Sequence, residues 1–237
     1  MSSYVTMRRL WQRIPEPIRR RIRAFPPLNW LRRGMRDALL RITPHGDIYD
    51  ANFFKENDER TMFSAEVIAE SIISHFGPST VMDVGCGSGV LLHFLNSHSV
   101  QVEGIEYSDA ALSMCRSRGL RVQKFNLEED VGVDTRKFDL VVSTEVAEHL
   151  PESCASRYVD LLCRISDTVL FTAATPGQGG IDHINEQPHE YWIDKFNARG
   201  FEYDGVLSSK LRSTWKEKGT LWWYHNNAMV FSKGKRR

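Results

Sequence analysis

The feature that most constrains the fold is a glycine-rich turn, Asp83-Val84-Gly85-Cys86-Gly87-Ser88-Gly89, which follows the short apolar strand predicted at 81–84. A helix is predicted to begin directly after the turn, at Val90. Glycine permits a tight backbone turn and lets a ligand approach the main chain closely. The first N–H groups of a helix are also free to bind a ligand. The turn therefore predicts a ligand site between a strand and a helix, although a plain strand-to-helix turn is the alternative.

Strand and helix patterns alternate on both sides of this turn. Short apolar runs predict strands, and runs with helical periodicity predict helices. The predicted strands are 81–84, 100–105, 120–125, 138–143, 168–173, 201–206 and 228–231, and the predicted helices are 65–75, 90–95, 110–118, 153–165 and 191–199. Repeated strand–helix units predict an α/β fold with a doubly wound, mostly parallel, seven-stranded sheet. The last two strands have no predicted helix between them, which favours an antiparallel edge.

The first 41 residues differ in charge from the rest of the chain. They contain eleven arginines, no lysine and two acidic residues, a net charge of +9, whereas the whole chain carries +1. Prolines interrupt this segment, and Thr43-Pro44-His45-Gly46 ends it. We expect a basic N-terminal helical extension over residues 1–48 and a second domain over 49–237. The extension is expected either to bind an anionic membrane surface or to be a solvated, basic packing helix.

Composition narrows the class of protein. Hydrophobic residues make up 41% of the chain and charged residues 26%, which suits a packed globular core. Four scattered cysteines show no C-x-x-C spacing and fit neither a zinc site nor a disulfide framework. No apolar run approaches the ~18 residues of a spanning helix, and no signal peptide is recognisable. We expect a cytoplasmic protein, with peripheral attachment at a membrane through the N-terminal arginines.

A second cofactor signal lies at the end of the next predicted strand, where Glu106 follows Val102-Glu103-Gly104-Ile105. An acidic side chain at this position can accept hydrogen bonds from both hydroxyls of a ribose. Tyr107 follows and is placed to cover an adenine ring. Glu106 alone is equally consistent with a solvated strand end, but together with the glycine-rich turn it predicts a ligand that contains a nucleoside.

The run from Asp83 to Gly89 resembles the first signature of class I S-adenosylmethionine-dependent methyltransferases, D/E-x-G-x-G-x-G, rather than the G-x-G-x-x-G of dinucleotide enzymes. The resemblance continues through Glu106, Asn126-Leu127 and the strand 138–141. It implies a Rossmann-like methyltransferase domain over 49–237 that binds S-adenosylmethionine. The residues implied in cofactor binding are Asp83, Gly85, Cys86, Gly87, Gly89, Glu106, Tyr107, Asn126, Leu127 and Thr144. The family often has aspartate facing the adenine amine where this chain has Asn126, whose amide oxygen can also accept.

Two carboxylates and an imidazole follow the fourth predicted strand. Glu145, Glu148 and His149 are spaced i, i+3 and i+4, which places them on one face of a helical turn. They also lie at the carboxyl end of a parallel strand, where ligands bind in such sheets. This group can bind a divalent cation. The alternative is a capped turn with Glu145 near the cofactor and His149 buried in hydrogen bonds.

The E-x-x-E-H pattern resembles ubiquinone-biosynthesis O-methyltransferases and the terminal 2′-O-methyltransferases of small RNAs, in which the matching residues are implicated in metal binding. The RNA enzymes add a histidine from a later loop, and here either His183 or His189 can supply it. We favour His183, because it follows flexible glycines and precedes Asn185. The metal ligands implied are Glu145, Glu148, His149 and His183, with Mg²⁺ or Mn²⁺ as the ion. Without a metal, His149 or His183 is the candidate catalytic base.

The acceptor is the least constrained part of the prediction. The loop around Gly179-Gly180-Ile181-Asp182 and the aromatic run at 222–224 look like bacterial methyltransferases of glycan and secondary-metabolite pathways. The aromatic residues are expected either to stack on sugar or planar rings or to pack at a sheet edge. We therefore expect a metal-assisted O-methyltransferase acting on a hydroxyl of a small molecule or glycan. Terminal 2′-O-methylation of RNA and a non-catalytic, methyltransferase-like scaffold stay open as alternatives. Nucleic acid is not the expected partner, because no recognisable RNA-binding module is present.

Overall fold

The computed structural model of the protein describes residues 49–130 and 136–234. The chain divides into two compact units, Met1–Phe53 and Phe54–Arg237. The N-terminal helical extension predicted over 1–48 lies outside the described residues. In the described part of the first unit, Asp50 caps the beginning of a helix, because its carboxylate accepts a hydrogen bond from the Phe53 N–H at 2.7 Å.

Helices and strands alternate along the described ranges. The strands are β1 (Thr80–Val84), β2 (Gln101–Glu106), β3 (Arg121–Lys124), β4 (Leu140–Thr144), β5 (Thr168–Thr172), β6 (Phe201–Tyr203) and β7 (Met229–Lys233). The α-helices are α1 (Ala51–Phe76), α2 (Val90–Ser97), α3 (Asp109–Ser117), α4 (Ala155–Ile165), α5 (His189–Asn197), α6 (Gly205–Glu217) and α7 (Trp222–Asn227). Two short 3₁₀ turns, Ala147–His149 and Glu152–Cys154, precede α4.

The strands form one seven-stranded sheet in the order β3-β2-β1-β4-β5-β7-β6. Pairing is parallel from β3 to β5, and β7 runs antiparallel to both β5 and β6. The predicted α/β fold with a mostly parallel sheet and an antiparallel edge is therefore confirmed. Strand order reverses between β1 and β4, and in open α/β sheets ligands bind at the carboxyl ends of the strands that flank this point.

Two apolar clusters cover the two faces of the sheet. Successive strand residues point to opposite faces, and accordingly Val81 and Met82 of β1 belong to different clusters. One cluster includes Ile68 of α1 together with residues of α2 and α6, and the other includes Trp192 of α5 together with residues of α4. Because apolar side chains cover both faces of the sheet, the strands are buried, and the polar side chains of interest lie at the strand ends.

The structure differs from the sequence prediction between β6 and β7. No helix is predicted there, yet α6 and α7 connect the two strands. The apolar residues of α6 that pack on the core form a narrow stripe, Leu207, Leu211 and Trp215, in an otherwise polar segment. Asp204 follows β6 and caps the beginning of α6, because its carboxylate accepts a hydrogen bond from the Leu207 N–H at 2.8 Å. The aromatic run that begins at Trp222 consequently lies in a helix and not on an edge strand.

Candidate functional site

The glycine-rich turn leaves β1 and folds back onto the end of β2. The N–H groups of Gly85 and Cys86 donate to the carbonyl oxygen of Ile105 at 2.9 and 3.2 Å. Gly85 has a φ of +77°, and a Cβ atom there would lie 2.6 Å from Cγ2 of Val146. Glycine is therefore required at this position both by the left-handed backbone and by the packing of the turn after β4.

Glu106 joins the end of β2 to this turn. Its Oε2 accepts a hydrogen bond from the Gly87 N–H at 2.9 Å, and its Oε1 accepts from the N–H groups of Tyr107 and Ser108, both at 2.8 Å. Burial raises the pKa of Glu106, and these three backbone donors oppose that rise. A carboxylate offers about four acceptor positions, so Glu106 keeps capacity for a ligand hydroxyl. Tyr107 is exposed beside it, and its ring is the predicted adenine cover.

Asp83 is buried at the carboxyl end of β1. Its Oδ1 accepts no hydrogen bond from any residue that the structure describes. Burial, and secondly the nearby negative charge of Glu106, raise the pKa of Asp83 to about 7. The pair of carboxyl groups therefore favours a cationic ligand at this end of the sheet. S-adenosylmethionine is such a ligand, because it carries an ammonium and a sulfonium group.

The remaining predicted cofactor residues lie after β3 and at the end of β4. The Asn126 side-chain oxygen accepts a hydrogen bond from the Glu128 N–H at 3.0 Å, so it already caps a turn. Its contact with an adenine amine stays a prediction. Leu127 is half-buried and packs against the core cluster that contains Met82. Thr144 is half-buried at the last position of β4.

The carboxylate of Glu148, in the turn after β4, is fully buried. The Glu145 side chain and the Ala174 main chain lie next to this carboxyl group. Burial, and secondly the charge of Glu145, raise the pKa of Glu148 well above its ordinary value. The Glu148 main-chain oxygen accepts hydrogen bonds from Ile184 and Asn185 at 2.9 and 3.0 Å, which fixes the loop after β5 against it.

That loop brings His183 to Glu148 and His149. The rings of His149 and His183 meet edge to face, with centroids 4.9 Å apart. His183 Nε2 lies 4.0 Å from Glu148 Oε1, and one possible ligand atom from each of the three residues lies within 4.8 Å of the others. His149 Nδ1 lies 3.1 Å from the Asp182 carbonyl oxygen, and His183 Nδ1 lies 2.9 Å from a Glu186 carboxylate oxygen. Such outer partners orient the rings of metal-binding histidines.

Glu145 is placed differently from the prediction. The 3₁₀ turn begins at Ala147, and Glu145 precedes it with a φ of +55°, so the three predicted ligands are not on one regular helical turn, although the Glu145 side chain still lies next to that of Glu148. The Glu145 carboxylate accepts hydrogen bonds from the side-chain amides of Gln178 at 2.7 Å and Asn227 at 3.0 Å. Sequence reasoning did not single out these two amides, because nothing in local periodicity connects β4 with a loop and with α7.

His189, the alternative loop histidine, begins α5 and lies in another environment. Its Nδ1 is 3.3 Å from a guanidinium nitrogen of Arg212. Burial, and secondly the positive charge of Arg212, lower the pKa of His189. A neighbouring guanidinium disfavours cation binding, so the structure favours His183 over His189 as the partner of Glu148 and His149.

The comparisons with known proteins agree with this geometry. A family model described as methionine biosynthesis protein MetW matches residues 65–178. The ubiquinone biosynthesis O-methyltransferase of Alkalilimnicola ehrlichii is 32% identical over 144 residues, which are 58% of this chain and 53% of that protein. The chain thus spans about half the length of this curated relative.

Two solved structures share the architecture. CalS10 with bound S-adenosylmethionine, an amino pentose methyltransferase from Micromonospora echinaspora, aligns with a TM-score of 0.55 at 16% identity, over 72% of this chain and 90% of its own. The magnesium protoporphyrin IX methyltransferase of Synechocystis PCC 6803 with bound S-adenosylhomocysteine aligns with a TM-score of 0.54 at 14% identity, over 73% and 83%. The chain has the fold of the class I S-adenosylmethionine-dependent methyltransferases. The resemblance to these methyltransferases that the sequence predicts is therefore confirmed.

The methyltransferase fold accounts for the position of both groups of polar residues. β1 and β4 are adjacent and parallel, with Asp83 paired in register with Val142. The cofactor turn after β1 and the Glu148 group after β4 therefore lie at neighbouring strand ends.

None of the helices that the structure describes has both the length and the hydropathy of a membrane-spanning segment.

Asp83 gives a pH-dependent prediction. Its pKa is about 7 in the folded protein and 3.8 in an ordinary environment, so the folded state holds a proton that the unfolded state has lost between these values. The stability that it contributes is complete below about pH 4 and declines as the pH rises through about 7. We expect Asp83→Asn to remove this decline, so that its free energy of unfolding relative to wild type improves between pH 4 and 7. Urea unfolding at several pH values measures this, with the exposed Asp109→Asn as control. Parallel pH profiles of Asp83→Asn and wild type would contradict it.

Proposed function

We propose that this protein is an S-adenosylmethionine-dependent O-methyltransferase that acts on a hydroxyl group of a small molecule or glycan, with Mg²⁺ or Mn²⁺ at the acceptor site. The observation that carries the proposal is the fully buried Glu148 carboxylate, which lies beside the imidazoles of His149 and His183. A buried charge is stable only when it is paired, bound to a metal or neutralised by a proton.

The cofactor half of the proposal rests on the turn and two carboxyl groups. Glycines at 85, 87 and 89 all have positive φ angles, which glycine adopts without strain, and Glu106 keeps an acceptor position for a ribose hydroxyl. The buried Asp83 faces the same end of the sheet and favours positive charge. S-adenosylmethionine supplies an activated methyl group when bound, so the protein has mainly to align the acceptor with it.

The acceptor half rests on Glu148, His149 and His183, whose donor set of one carboxylate and two imidazoles suits a divalent cation. A cation held there lowers the pKa of an acceptor hydroxyl. Glu186 holds the His183 ring, and its carboxylate also accepts hydrogen bonds from the N–H groups of Gly177 and Gly179 at 2.8 and 2.6 Å. The same glutamate therefore orients the His183 ring and binds the main chain of the loop that carries it.

The choice of acceptor is supported by relatives and by the aromatic residues of α7. The curated relative is named as an O-methyltransferase of ubiquinone biosynthesis, and CalS10 is named as an amino pentose methyltransferase. On α7, Trp222 is exposed, and the Arg60 guanidinium lies 5.0 Å from the centroid of the neighbouring Trp223 ring. Exposed aromatic faces favour stacking on a planar ring or a sugar. We therefore propose a hydroxylated ring as the acceptor.

The cofactor half is tested by calorimetric titration with S-adenosylhomocysteine. Glu106→Ala removes a charged hydrogen-bond acceptor, and we expect about 10- to 100-fold weaker binding. Glu103→Ala is the matched control, because Glu103 lies on the same strand but its carboxylate faces Arg136 at 2.7 Å on the surface. Wild-type protein that does not bind S-adenosylhomocysteine would contradict the proposal.

The acceptor half is tested by titration with Mn²⁺, followed by calorimetry and by the electron paramagnetic resonance signal of the free ion. We expect saturable binding that Glu148→Gln and His183→Ala each weaken by at least about 10-fold, as loss of a ligand or its outer partner does. His189→Ala should bind Mn²⁺ like wild type. Equal Mn²⁺ binding by wild type and His183→Ala would contradict a metal site at these residues and leave His149 and His183 as candidate bases.

The proposed location is the cytoplasm, at an anionic membrane surface bound by the N-terminal arginines. Free thiols at all four cysteines support a reducing compartment. Each arginine near an anionic surface contributes about 1 kcal/mol, so replacing Arg19, Arg20 and Arg21 by glutamine should weaken vesicle binding on the order of 100-fold. Sedimentation with phosphatidylcholine vesicles, with and without phosphatidylserine, measures this. Equal sedimentation with both kinds of vesicle would contradict the membrane partner.

A further inference from the structure

An ion pair between Asp58 and Arg118 contacts the glycine-rich turn and is not used by the proposed cofactor contacts. Asp58 of α1 is only 6% exposed. Its Oδ2 accepts a hydrogen bond from the Arg118 guanidinium at 2.7 Å, and its Oδ1 accepts from the Ser88 hydroxyl. Arg118 also donates to the Ser88 carbonyl oxygen at 2.6 Å. Three residues from distant parts of the chain thus form a closed ring of hydrogen bonds around one residue of the turn.

Ser88 lies between Gly87 and Gly89, which both have positive φ angles, +53° and +79°. Glycines lose more conformational freedom on ordering than other residues, so contacts that hold this part of the turn offset an entropic cost. The ring holds Ser88 through its side chain and through its main chain. Its geometry is therefore fixed by α1 and by the end of α3, in addition to the sheet.

The same two helices also contact Gly87. Phe54, one turn before Asp58 on α1, lies 3.6 Å from the position that a Cβ atom of Gly87 would occupy. The Cys115 thiol of α3 donates to the Gly87 carbonyl oxygen at 3.2 Å. Gly87 is the residue whose N–H binds Glu106. The part of the turn that these helices hold therefore includes Gly87, which binds the Glu106 carboxylate that is proposed to bind ribose.

We propose that Asp58 and Arg118 are positioning residues for S-adenosylmethionine, which hold Ser88 and thereby keep the glycine-rich turn in its ligand-binding conformation. The inference rests on the proposed cofactor site. When a turn is ordered before the ligand arrives, its ordering does not reduce the affinity. Without the Asp58 carboxylate, the half-buried Arg118 guanidinium loses its partner. Ser88 then loses the hydrogen bond of its hydroxyl to Asp58, and Arg118 is no longer held in place to bind the Ser88 carbonyl oxygen. Affinity then falls although neither charged residue is assigned a contact with the ligand.

The test is a double-mutant cycle on S-adenosylhomocysteine affinity. We expect Asp58→Asn and Arg118→Met each to weaken binding by about 10-fold, a typical effect of a lost charge-assisted hydrogen bond. The double variant should also bind about 10-fold more weakly, not 100-fold, because the two residues act as a unit. Glu70→Gln is the matched control on the same helix, since its pair with Lys218 at 2.7 Å is exposed. It should bind like wild type.

Amide hydrogen exchange of residues 85–89 supplies a readout that general destabilisation does not mimic. We expect faster exchange in ligand-free Asp58→Asn, with protection restored by saturating S-adenosylhomocysteine. If that variant does not fold, Arg118→Lys, which keeps the charge but loses the forked geometry, should give intermediate affinity. Wild-type affinity in Asp58→Asn or Arg118→Lys, additive effects in the cycle, or unchanged exchange would overturn the proposal. Failure of the wild type to bind would instead overturn the proposed function.

Discussion

The hydrogen bond from the Gly87 N–H to the Glu106 carboxylate, at 2.9 Å, is the interaction on which the rest of the site depends. It joins the turn after β1 to the end of β2, two elements that the parallel pairing of these strands already places side by side. Since Val84 pairs with Ile105, Glu106 is one residue beyond the last paired position and reaches across to the turn. The sheet register therefore sets the distance between the glycine-rich turn and its acidic partner.

The carboxyl edge of the sheet concentrates negative charge. Asp83, Glu106, Glu145 and Glu148 all lie at the ends of β1, β2 and β4 or in the turn that follows β4, and burial raises the pKa of Asp83, Glu106 and Glu148. In the absence of cations this arrangement opposes folding, because charge is removed from water without a full set of partners. A cationic methyl donor and a divalent cation would each offset part of that cost. Ligands of this kind should therefore stabilise the folded state as well as complete the site.

The segments that follow β4 and β5 hold each other in place around Glu148. The Glu148 main-chain oxygen holds the loop after β5, and Glu186 holds His183 within that loop. Glu145 is held by Gln178 from the same loop and by Asn227 from α7. The helix that carries the exposed Trp222 is thus connected to the half-buried Glu145 carboxylate through Asn227.

Local sequence determined the fold class and the cofactor half of the candidate site. The glycine spacing, the apolar strand before it and Glu106 at the next strand end are short-range patterns, and parallel pairing then brings them together without further information. The sequence also favoured His183 as the loop histidine, from its place after the glycines. Tertiary structure alone decided that Glu145 turns toward Gln178 and Asn227, and that Asp58 and Arg118 meet at Ser88. These contacts join residues about 30 or more positions apart through loops and helix ends. Their geometry depends on how the helices pack on the sheet, which no local periodicity encodes.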